Sequence, residues 1–239
     1  MKKTRNKTDH NDFINAVSKI SKAITSDLYL EDILKLIVTV TAQVMKSEIC
    51  SIMLFDVKQG ALDIKATQSM SEEYIKKGSL KIGEGIAGKV LKENKPIQVL
   101  DVLNEPEFKF KDMAKKLGLK SLLCVPLDVK GKPIGALNCY TSFFHKFTDS
   151  EIAVLTTVAN QAAVVIENAN LLVTSNILKE ELETRKLVEK AKGIIMKQYG
   201  HSEEDAYRLL QKKSMDARKT LRAVAEAVIL AKEIEKTEA

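Results

Sequence analysis

The spacing of apolar residues changes along the chain and predicts a mixed helix and strand architecture. Between residues 13 and 46, apolar side chains recur every three or four positions, which predicts two amphipathic helices. Over 49–55 and 62–66 the period is two, and the loop between these segments ends in Gly60. This pattern predicts an antiparallel hairpin. Further strands are predicted at 96–100, 121–127 and 133–140.

A long helix is predicted after these strands. Thr148 lies three residues before Glu151, which is the spacing of a capping box and predicts a helix start at Asp149. No Pro or Gly interrupts the chain from Asp149 to Lys192. Gly200 predicts the helix end, because glycine enters the left-handed conformation without a Cβ clash.

The middle of this helix carries a seven-residue repeat of Val164, Leu171 and Leu178. Such a repeat is typical of a coiled coil. A continuous helix transmits motion or dimerises more often than it acts as a loose linker. The expected assembly is therefore a parallel homodimer.

The C-terminal part is predicted to form a small bundle of three helices. Ser202 with Asp205 has the spacing of a capping box, and Ser214 followed by Asp216 predicts another helix start. Apolar residues recur at helical intervals in all three segments, so each helix has an apolar face. These three faces can be buried only by packing against one another.

Positive charge gathers on this C-terminal part. Residues 185–222 carry 11 basic and 5 acidic side chains, a net charge of +6, which equals the formal net charge of the whole chain. One interpretation is a phosphate-rich partner such as a nucleic acid. The other is that these side chains only solvate exposed helix faces.

A sequence resemblance favours the first interpretation. The segment resembles the ANTAR domain, a family of RNA-binding modules in bacterial transcription antiterminators, from about Leu178 to Ala231. The residues that carry the resemblance are Ala191-Lys192-Gly193-Ile194-Ile195-Met196, then Glu204, Ala206-Tyr207 and Leu210, then Ser214-Met215, Arg218-Lys219, Leu221 and Val224-Ala225-Glu226.

The resemblance implies that this domain binds hairpin loops in leader transcripts. Sequence-specific RNA recognition targets unstacked loop bases, because side chains cannot enter the A-form major groove. The residues expected to contact RNA are Lys186, Lys190, Lys192, Gly193, Lys197, Ser214, Arg218, Lys219 and Arg222. Tyr199 is either a stacking surface or a core residue.

The glycines of Gly83-Glu84-Gly85-Ile86-Ala87-Gly88 have the G-x-G-x-x-G spacing of a dinucleotide-binding loop. The βαβ context of that loop and the G-K-[ST] sequence of a P-loop are both missing. The glycines therefore predict a tight turn that packs a short helix, residues 86–93, onto a sheet.

The N-terminal part resembles the GAF domain from about Asp27 to Glu167. The resemblance is carried by the glycine turn, the strand ending in Asp101, Leu122-Leu123-Cys124-Val125-Pro126-Leu127, Gly135-Ala136-Leu137-Asn138 and Phe147-Thr148. It implies an antiparallel sheet of five or six strands with helices on both sides.

The GAF resemblance also implies a ligand pocket between the sheet and the helices that follow the glycine turn. The expected pocket residues are Ile86, Val90, Asp101, Phe108, Phe110, Met113, Leu123 and Val125. The sequence leaves open whether these residues bind a small molecule or only pack the core of a dimerisation module. It does not identify the ligand.

The predicted fold class is α+β: a GAF-type antiparallel sheet flanked by helices, joined by a long helix to an all-α ANTAR bundle. The expected boundaries are a helical lead-in at 1–26, the GAF domain at 27–167, a coiled-coil linker at 168–184 and the ANTAR domain at 178–234.

Nothing in the sequence predicts catalysis, a cofactor or a metal. His10, His145 and His201 lie apart, without a nucleophile or carboxylate at a recognisable spacing. The three cysteines fall in predicted strands and are expected to be buried core residues rather than the set of a redox enzyme. No apolar run approaches the roughly 20 residues that span a bilayer, so no membrane is expected. The odd number of cysteines, without metal-ligand spacing, fits a reducing cytoplasm, which is the expected location.

The predicted function is a signal-responsive antiterminator, in which the GAF half senses a small molecule or holds a dimer and the ANTAR half binds RNA. The alternative is a GAF sensor that acts through a protein partner rather than RNA.

Overall fold

A computed structural model of the chain describes residues 29–237 and, before them, Ser18, which is helical. The rest of the predicted lead-in at 1–26 lies outside the described residues. The chain divides after Ala169 into two compact units. One helix, Asp149–Tyr199, contributes residues to both units.

The first unit is built on a six-stranded antiparallel sheet. The strands are β1 (Ile49–Asp56), β2 (Ala61–Thr67), β3 (Leu80–Lys81), β4 (Ile97–Val99), β5 (Ser121–Val129) and β6 (Lys132–Thr141). Their order is β3-β2-β1-β6-β5-β4, and every neighbouring pair is antiparallel. The predicted hairpin and the predicted α+β class are confirmed.

Helices cover both faces of this sheet. They are α1 (Leu30–Met45), α2 (Glu72–Ile75), α3 (Gly85–Glu93), α4 (Lys111–Lys116) and the first part of α5 (Asp149–Tyr199). The side chains of α1 and α5 form one apolar core with one face of the sheet. Those of α2, α3 and α4 form a second core with the other face.

The glycine stretch forms the predicted turn into α3. Gly83 and Gly85 have positive φ angles of 79° and 61°. The Gly83 N–H donates to the carbonyl of Gly88 over 2.8 Å. A Cβ at Gly88 would lie 2.3 Å from the carbonyl oxygen of Lys81, so the close backbone approach requires glycine there.

The start of α5 is capped as predicted. The Glu151 N–H donates to Thr148 Oγ1 over 3.3 Å, and the Thr148 N–H donates to Glu151 Oε2 over 2.7 Å. This reciprocal pair satisfies N–H groups that the helix itself leaves free.

Within residues 29–237, α5 is long and apolar enough, by length and composition, to cross a membrane. This differs from the expectation of no such run, because the residues that interrupt the apolar positions are mostly uncharged. The core helix of a globular protein meets the same criterion: 39% of the 18-residue window is buried inside the protein, and α5 supplies Leu155, Val158 and Ile166 to the sheet core.

The second unit is a bundle of the C-terminal part of α5 with α6 (Glu203–Ala217) and α7 (Leu221–Thr237). Its small core consists of Val188, Ala191, Ile195, Ala206, Leu210, Ala225 and Ile229. As predicted, α5 ends before Gly200, whose φ is 68°. Ser202 Oγ accepts the Asp205 N–H over 3.2 Å and caps α6.

The predicted helix start at Ser214 is wrong. Ser214 lies in the last turn of α6, which continues to Ala217 and ends with Arg218 in the left-handed conformation. The cap of α7 is Thr220, whose Oγ1 accepts the Ala223 N–H over 3.2 Å. Instead of capping a helix start, the Ser214 hydroxyl donates a hydrogen bond to the Lys219 carbonyl over 2.6 Å. Serine side chains form such hydrogen bonds with nearby backbone groups at helix ends as well.

Candidate functional sites

Four of the basic residues expected to contact RNA are exposed and available to a partner. Lys186 and Lys197 lie on α5, and Arg218 and Lys219 form the turn between α6 and α7. The side chains of these four residues make no ion pair or hydrogen bond with the described part of the chain. Arg218 and Lys219 are adjacent at a fixed turn, so they present two positive charges together.

Two other predicted contacts are partly neutralised at the surface. Lys190 Nζ lies 3.1 Å from Glu233 Oε1. Arg222 Nε lies 2.9 Å from Glu226 Oε1. Exposed pairs of this kind contribute little to stability and exchange partners readily.

Lys192 is placed differently from the other predicted contacts. It is buried, with its side chain 9% exposed, and its ammonium lies 2.9 Å from Glu189 Oε1 and 2.7 Å from Glu203 Oε1. Hydrogen bonds with Glu203 and then Glu189 raise the pKa of Lys192, and the same contact with Lys192 lowers the pKa of Glu203. Lys192 therefore links α5 to the start of α6.

Gly193 and Ser214 also have definite local surroundings. A Cβ at Gly193 would meet nothing within 4 Å, so the chain around it does not explain a glycine inside a helix. Ser214 orders the turn that carries Arg218 and Lys219, through its hydrogen bond to the Lys219 carbonyl.

An apolar groove of about 710 Å³ opens between the three helices of this unit. Its lining residues include the apolar Leu209 and Val228. Lys213, Lys219 and Tyr199 also line it, at its edge. Tyr199 is 63% exposed. Its ring stacks on His201 at a centroid distance of 6.1 Å. The groove thus combines an apolar floor, an exposed aromatic ring and positive charge.

The sequence interpretation missed the groove and left Lys213 out of the predicted site. The available signal was the run of small residues Ala223, Ala227 and Ala231 on α7, all of which line the groove. Small side chains at intervals of four leave space along one face of a helix.

In the first unit, the structure brings together some of the expected pocket residues. Ile86, Phe108 and Phe110 line a small cavity of about 10 Å³, and Val90 and Met113 belong to the same apolar core. A volume of that size holds about one water molecule.

Five expected pocket residues do not line this cavity: besides Val90 and Met113, these are Asp101, Leu123 and Val125. Leu123 and Val125 belong to the core on the opposite face of the sheet, so their assignment to the pocket is wrong. Successive residues of a strand point to opposite faces, and it is Leu122 that lines the cavity. Asp101 organises its own loop, accepting the Leu103 N–H over 3.0 Å.

The cavity is also lined by polar residues that the sequence interpretation did not select, among them Lys77, Asn138 and Tyr140. The Lys77 ammonium lies 4.0 Å from the ring centre of Tyr74 and 5.3 Å from that of Phe110. Desolvation lowers the pKa of Lys77 from 10.5 to about 7. No periodic pattern along the chain indicates that Lys77 lines a cavity, because Lys77 follows a helix of only four residues.

All three cysteines are buried in strands, as expected. Cys50 and Cys139 are paired across β1 and β6, with their sulfur atoms 3.5 Å apart, and Cys124 lies on the other face. Burial raises the pKa of Cys50 and of Cys124, which disfavours the reactive thiolate. Within residues 29–237, no group of three His, Cys, Asp or Glu residues could hold a metal ion.

Comparison with known proteins agrees with this two-unit architecture. The family model of the GAF domain matches residues 29–166, and that of the ANTAR domain matches residues 177–229. The GAF domain of a phosphoenolpyruvate-protein phosphotransferase from Coxiella burnetii superposes with a TM-score of 0.61 at 26% identity, covering 68% of this chain and 97% of that one.

Two curated proteins match parts of the chain. The transcriptional regulatory protein PdtaR of Mycobacterium tuberculosis is 50% identical over 52 residues, which are 22% of this chain and 25% of PdtaR. The nitrogen fixation protein AnfA of Azotobacter vinelandii is 27% identical over 168 residues, which are 69% of this chain and 31% of AnfA. The chain thus spans between a quarter and a third of the length of these relatives. From the family models and the fold, the chain belongs to the GAF-domain proteins and carries an ANTAR domain after its GAF domain.

Proposed function

We propose that this protein is a transcription antitermination regulator that binds hairpin RNA through its ANTAR domain, with the GAF domain as its sensor or dimerisation module. The observation that carries the proposal is the unpaired Arg218-Lys219 turn beside a groove with the exposed Tyr199 at its edge. The match to the ANTAR family and the similarity to a transcriptional regulatory protein support it.

The site has the chemistry that a hairpin loop requires. Arginine and lysine side chains without internal partners attract phosphates, and this attraction releases counterions. Loop bases are unstacked, so an aromatic ring such as Tyr199 can stack on one of them. An apolar groove beside that ring excludes water from the stacked base.

Binding of this kind affects transcription by shifting an RNA equilibrium. A nascent transcript can fold into the bound hairpin or into a competing terminator. A protein that binds only the first fold favours it in proportion to its differential affinity for the two. No bond is made or broken in this mechanism, so we propose a regulator and not an enzyme, acting in the cytoplasm where transcripts are made.

The test is binding of the full chain to a two-hairpin leader RNA across a salt series, with Arg218→Ala/Lys219→Ala as the variant. We expect weaker binding and a slope of log affinity against log salt that is shallower by roughly 1.4 to 1.8, for two lost phosphate contacts. The matched control is Lys58→Ala/Lys65→Ala, which removes the same charge from exposed positions of the GAF unit.

Equal binding of a scrambled RNA, with the double variant unchanged, would overturn the RNA proposal. It would favour the competing function, a sensor that acts through an acidic protein partner.

A second observation supports a homodimer. Residues 170–183 of α5 are all exposed, and they include Leu171 (57%), Leu178 (59%) and Leu182 (54%). A helix whose large apolar side chains have no partner among the described residues is poorly stable in water. The seven-residue spacing of Leu171 and Leu178 fits a parallel second copy of the same helix.

The dimer is tested by measuring the mass in solution of Leu178→Lys beside Asn176→Lys. Both variants add one positive charge to the same helical turn, but Asn176 lies on the opposite face. We expect the first to shift towards monomer and the second to remain dimeric. Equal masses for the two variants would contradict the helix-mediated dimer.

A further inference from the structure

The groove of the ANTAR unit has an aliphatic floor that is open to water. Most of its lining residues are Ala, Val, Leu or Ile, among them the half-buried Ile194, Leu209, Val224 and Val228. These four side chains pack against the core of the unit and also line the groove. The volume of about 710 Å³ lies within the range of small-molecule sites, roughly 300–1,000 Å³. Apolar surface of this kind gains free energy when a partner covers it.

The polar groups of this groove divide into a paired set and an unpaired set. Towards the C-terminal end of α7, the Lys232 ammonium lies 2.9 Å from Glu235 Oε2, and Gln198 Nε2 lies 3.5 Å from Glu235 Oε1. Lys213 and Lys219 also line the groove, and no carboxylate among the described residues lies within ion-pair distance of either. The groove therefore offers two free positive charges beside an aliphatic floor.

The two free lysines lie near the other end of the groove. Lys213 is close to the end of α6, and Lys219 is in the turn that follows this helix. From that turn, α7 lines the groove with apolar side chains from Ala223 to Ala231, eight positions that span about 12 Å along the helix axis. An extended alkyl chain of roughly ten carbons has that length, because each C–C bond of about 1.5 Å advances the zigzag by less than its own length.

Two other occupants fit this arrangement less well. A nucleobase has hydrogen-bonding edges, which would lose their water partners without replacement on an aliphatic floor. A base is better placed on the Tyr199 ring at the edge of the groove. Two copies of the chain that faced each other through this groove would bring four free lysines together, and like charges repel.

We propose that this groove binds a small amphipathic anion, with an aliphatic chain along α7 and a single carboxylate or phosphate head group between Lys213 and Lys219. A fatty acid and a single-chain phospholipid share this chemistry. The bound molecule covers Lys219 and the edge beside Tyr199, and it therefore opposes RNA binding. This regulation rests on the proposed RNA-binding function, whereas the anion site itself does not.

The experiment titrates the full chain with acetate, hexanoate, octanoate and decanoate, below their micelle-forming concentrations, and follows binding by calorimetry. Octanol tests the head group, because it has the chain length of octanoate without the charge. Octyl phosphate distinguishes a phosphate from a carboxylate head group. Binding to the leader RNA is measured with and without saturating decanoate.

Two variants have matched controls. Ala227→Phe fills the groove, and Gln211→Phe adds the same ring at an exposed position of α6 that does not line it. Lys213→Met removes one head-group charge, and Lys212→Met removes the adjacent exposed charge outside the groove. Melting temperatures show which variants are folded, and Lys213→Met keeps the test decisive if the larger ring of Ala227→Phe disturbs the bundle.

We expect the affinity of the native chain to rise about fourfold per added methylene from hexanoate to decanoate, because each methylene is buried in the groove. Octanol should bind more weakly than octanoate. Ala227→Phe should lose binding and Lys213→Met should bind octanoate several-fold more weakly, whereas both controls should resemble the native chain. Saturating decanoate should weaken RNA binding, and the tighter of octanoate and octyl phosphate identifies the head group.

The anion site is overturned if affinity does not depend on chain length, if octanol binds as tightly as octanoate, or if folded Ala227→Phe and Lys213→Met both bind like the native chain. Decanoate that binds without weakening RNA binding overturns the proposed regulation. Anion binding is measured without RNA and RNA binding without the anion, so failure of the anion site leaves the antitermination proposal intact, and the reverse also holds.

Discussion

Two lysines, one in each unit, are each held near a tyrosine ring, but their charged neighbours differ. Lys77 of the GAF unit lies 4.0 Å from the Tyr74 ring centre and has no carboxylate partner among the described residues. Lys192 of the ANTAR unit lies 6.0 Å from the Tyr207 ring centre and contacts the carboxylates of both Glu189 and Glu203.

The difference distinguishes a charge that is paired within the chain from one that remains available to a ligand. A cation that the chain itself neutralises has little left to offer a partner, and its removal leaves carboxylates without a counter-ion. One that the chain leaves unpaired destabilises the free protein. The pKa shifts are opposite because desolvation lowers the pKa of Lys77, whereas hydrogen bonds with Glu203 and Glu189 raise the pKa of Lys192.

The largest expected effect is that of Lys77→Met on the ligand-free protein. The pKa of Lys77 falls from 10.5 in a free side chain to about 7 in the fold, so the unfolded chain binds more protons between these values. Native stability should therefore rise from pH 7 to pH 10.5, and below pH 7 the full penalty, at most about 5 kcal/mol, applies. Met removes the charge, so we expect this variant to melt higher at pH 6 and to lack the rise with pH.

Thermal unfolding in chloride buffers between pH 6 and pH 9 checks this prediction, with Lys76→Met as the exposed control. A Lys77→Met variant that melts lower than the native chain at pH 6 would mean that the aromatic contacts already satisfy the ammonium.

The next effect concerns the exposed ring of the ANTAR unit. Tyr199→Ala removes a stacking surface worth roughly 1–3 kcal/mol per base, so RNA binding should weaken by about 5- to 150-fold without loss of stability. Tyr207→Ala, which removes the ring beside Lys192, is the comparison variant. Titration of both variants with the leader RNA checks this, and equal effects would show that Tyr199 has no special part in binding.

Lys192→Met should change stability less than Lys77→Met and in the opposite direction. Without the ammonium, Glu189 and Glu203 face each other without their cation, and the melting temperature should fall at pH 7. Lys192 lowers the pKa of Glu203 below its usual 4.5, so the stability it contributes is present above pH 4.5 and is lost as the pH falls through the lowered value.

Unfolding curves at pH 7 and pH 3 for the native chain and Lys192→Met provide the measurement. The difference in melting temperature should shrink at pH 3. A difference that persists there would assign the effect to packing of the lysine stem rather than to its charge.

The smallest expected effect is that of Gly193→Ala, next to Lys192 on α5. A helical glycine costs roughly 0.5–1 kcal/mol relative to alanine, and a Cβ at Gly193 meets nothing within 4 Å. We therefore expect a slightly higher melting temperature. Weaker RNA binding in the same variant would show that RNA approaches the backbone at this glycine, and unchanged binding would remove Gly193 from the interface.

The two predicted serine caps of the ANTAR unit show how far local pattern reasoning reaches. Ser202 caps α6 as predicted, because the helix before it has already ended at Gly200. Ser214, followed by Asp216, also has the local pattern of a possible cap, but it lies inside α6, which continues to Ala217 and ends with Arg218 in the left-handed conformation. Local patterns identify sites that could cap a helix, and tertiary packing selects among them.

The strand β5 gives the corresponding lesson for the GAF cavity. The sequence predicts the strand, but the pocket face is assigned there to Leu123 and Val125, whereas the structure places Leu122 on it. A shift of one residue in a strand moves every side chain to the other face. The sequence of a strand buried on both faces contains no signal that distinguishes them.

The sequence by itself determined most of the longer elements, their α+β class and the gathering of basic charge near the C-terminus, because these depend on local periodicity, glycine conformations and composition. Only the tertiary structure decided which charges are available. Lys192 and Arg218 look alike in the sequence, yet one is neutralised by Glu203, eleven positions away, and the other is exposed at a turn. Likewise, Lys77 is significant only because α2, β6 and the chain around Phe110 enclose it. Pairing and desolvation depend on distances in space, which a linear pattern does not contain.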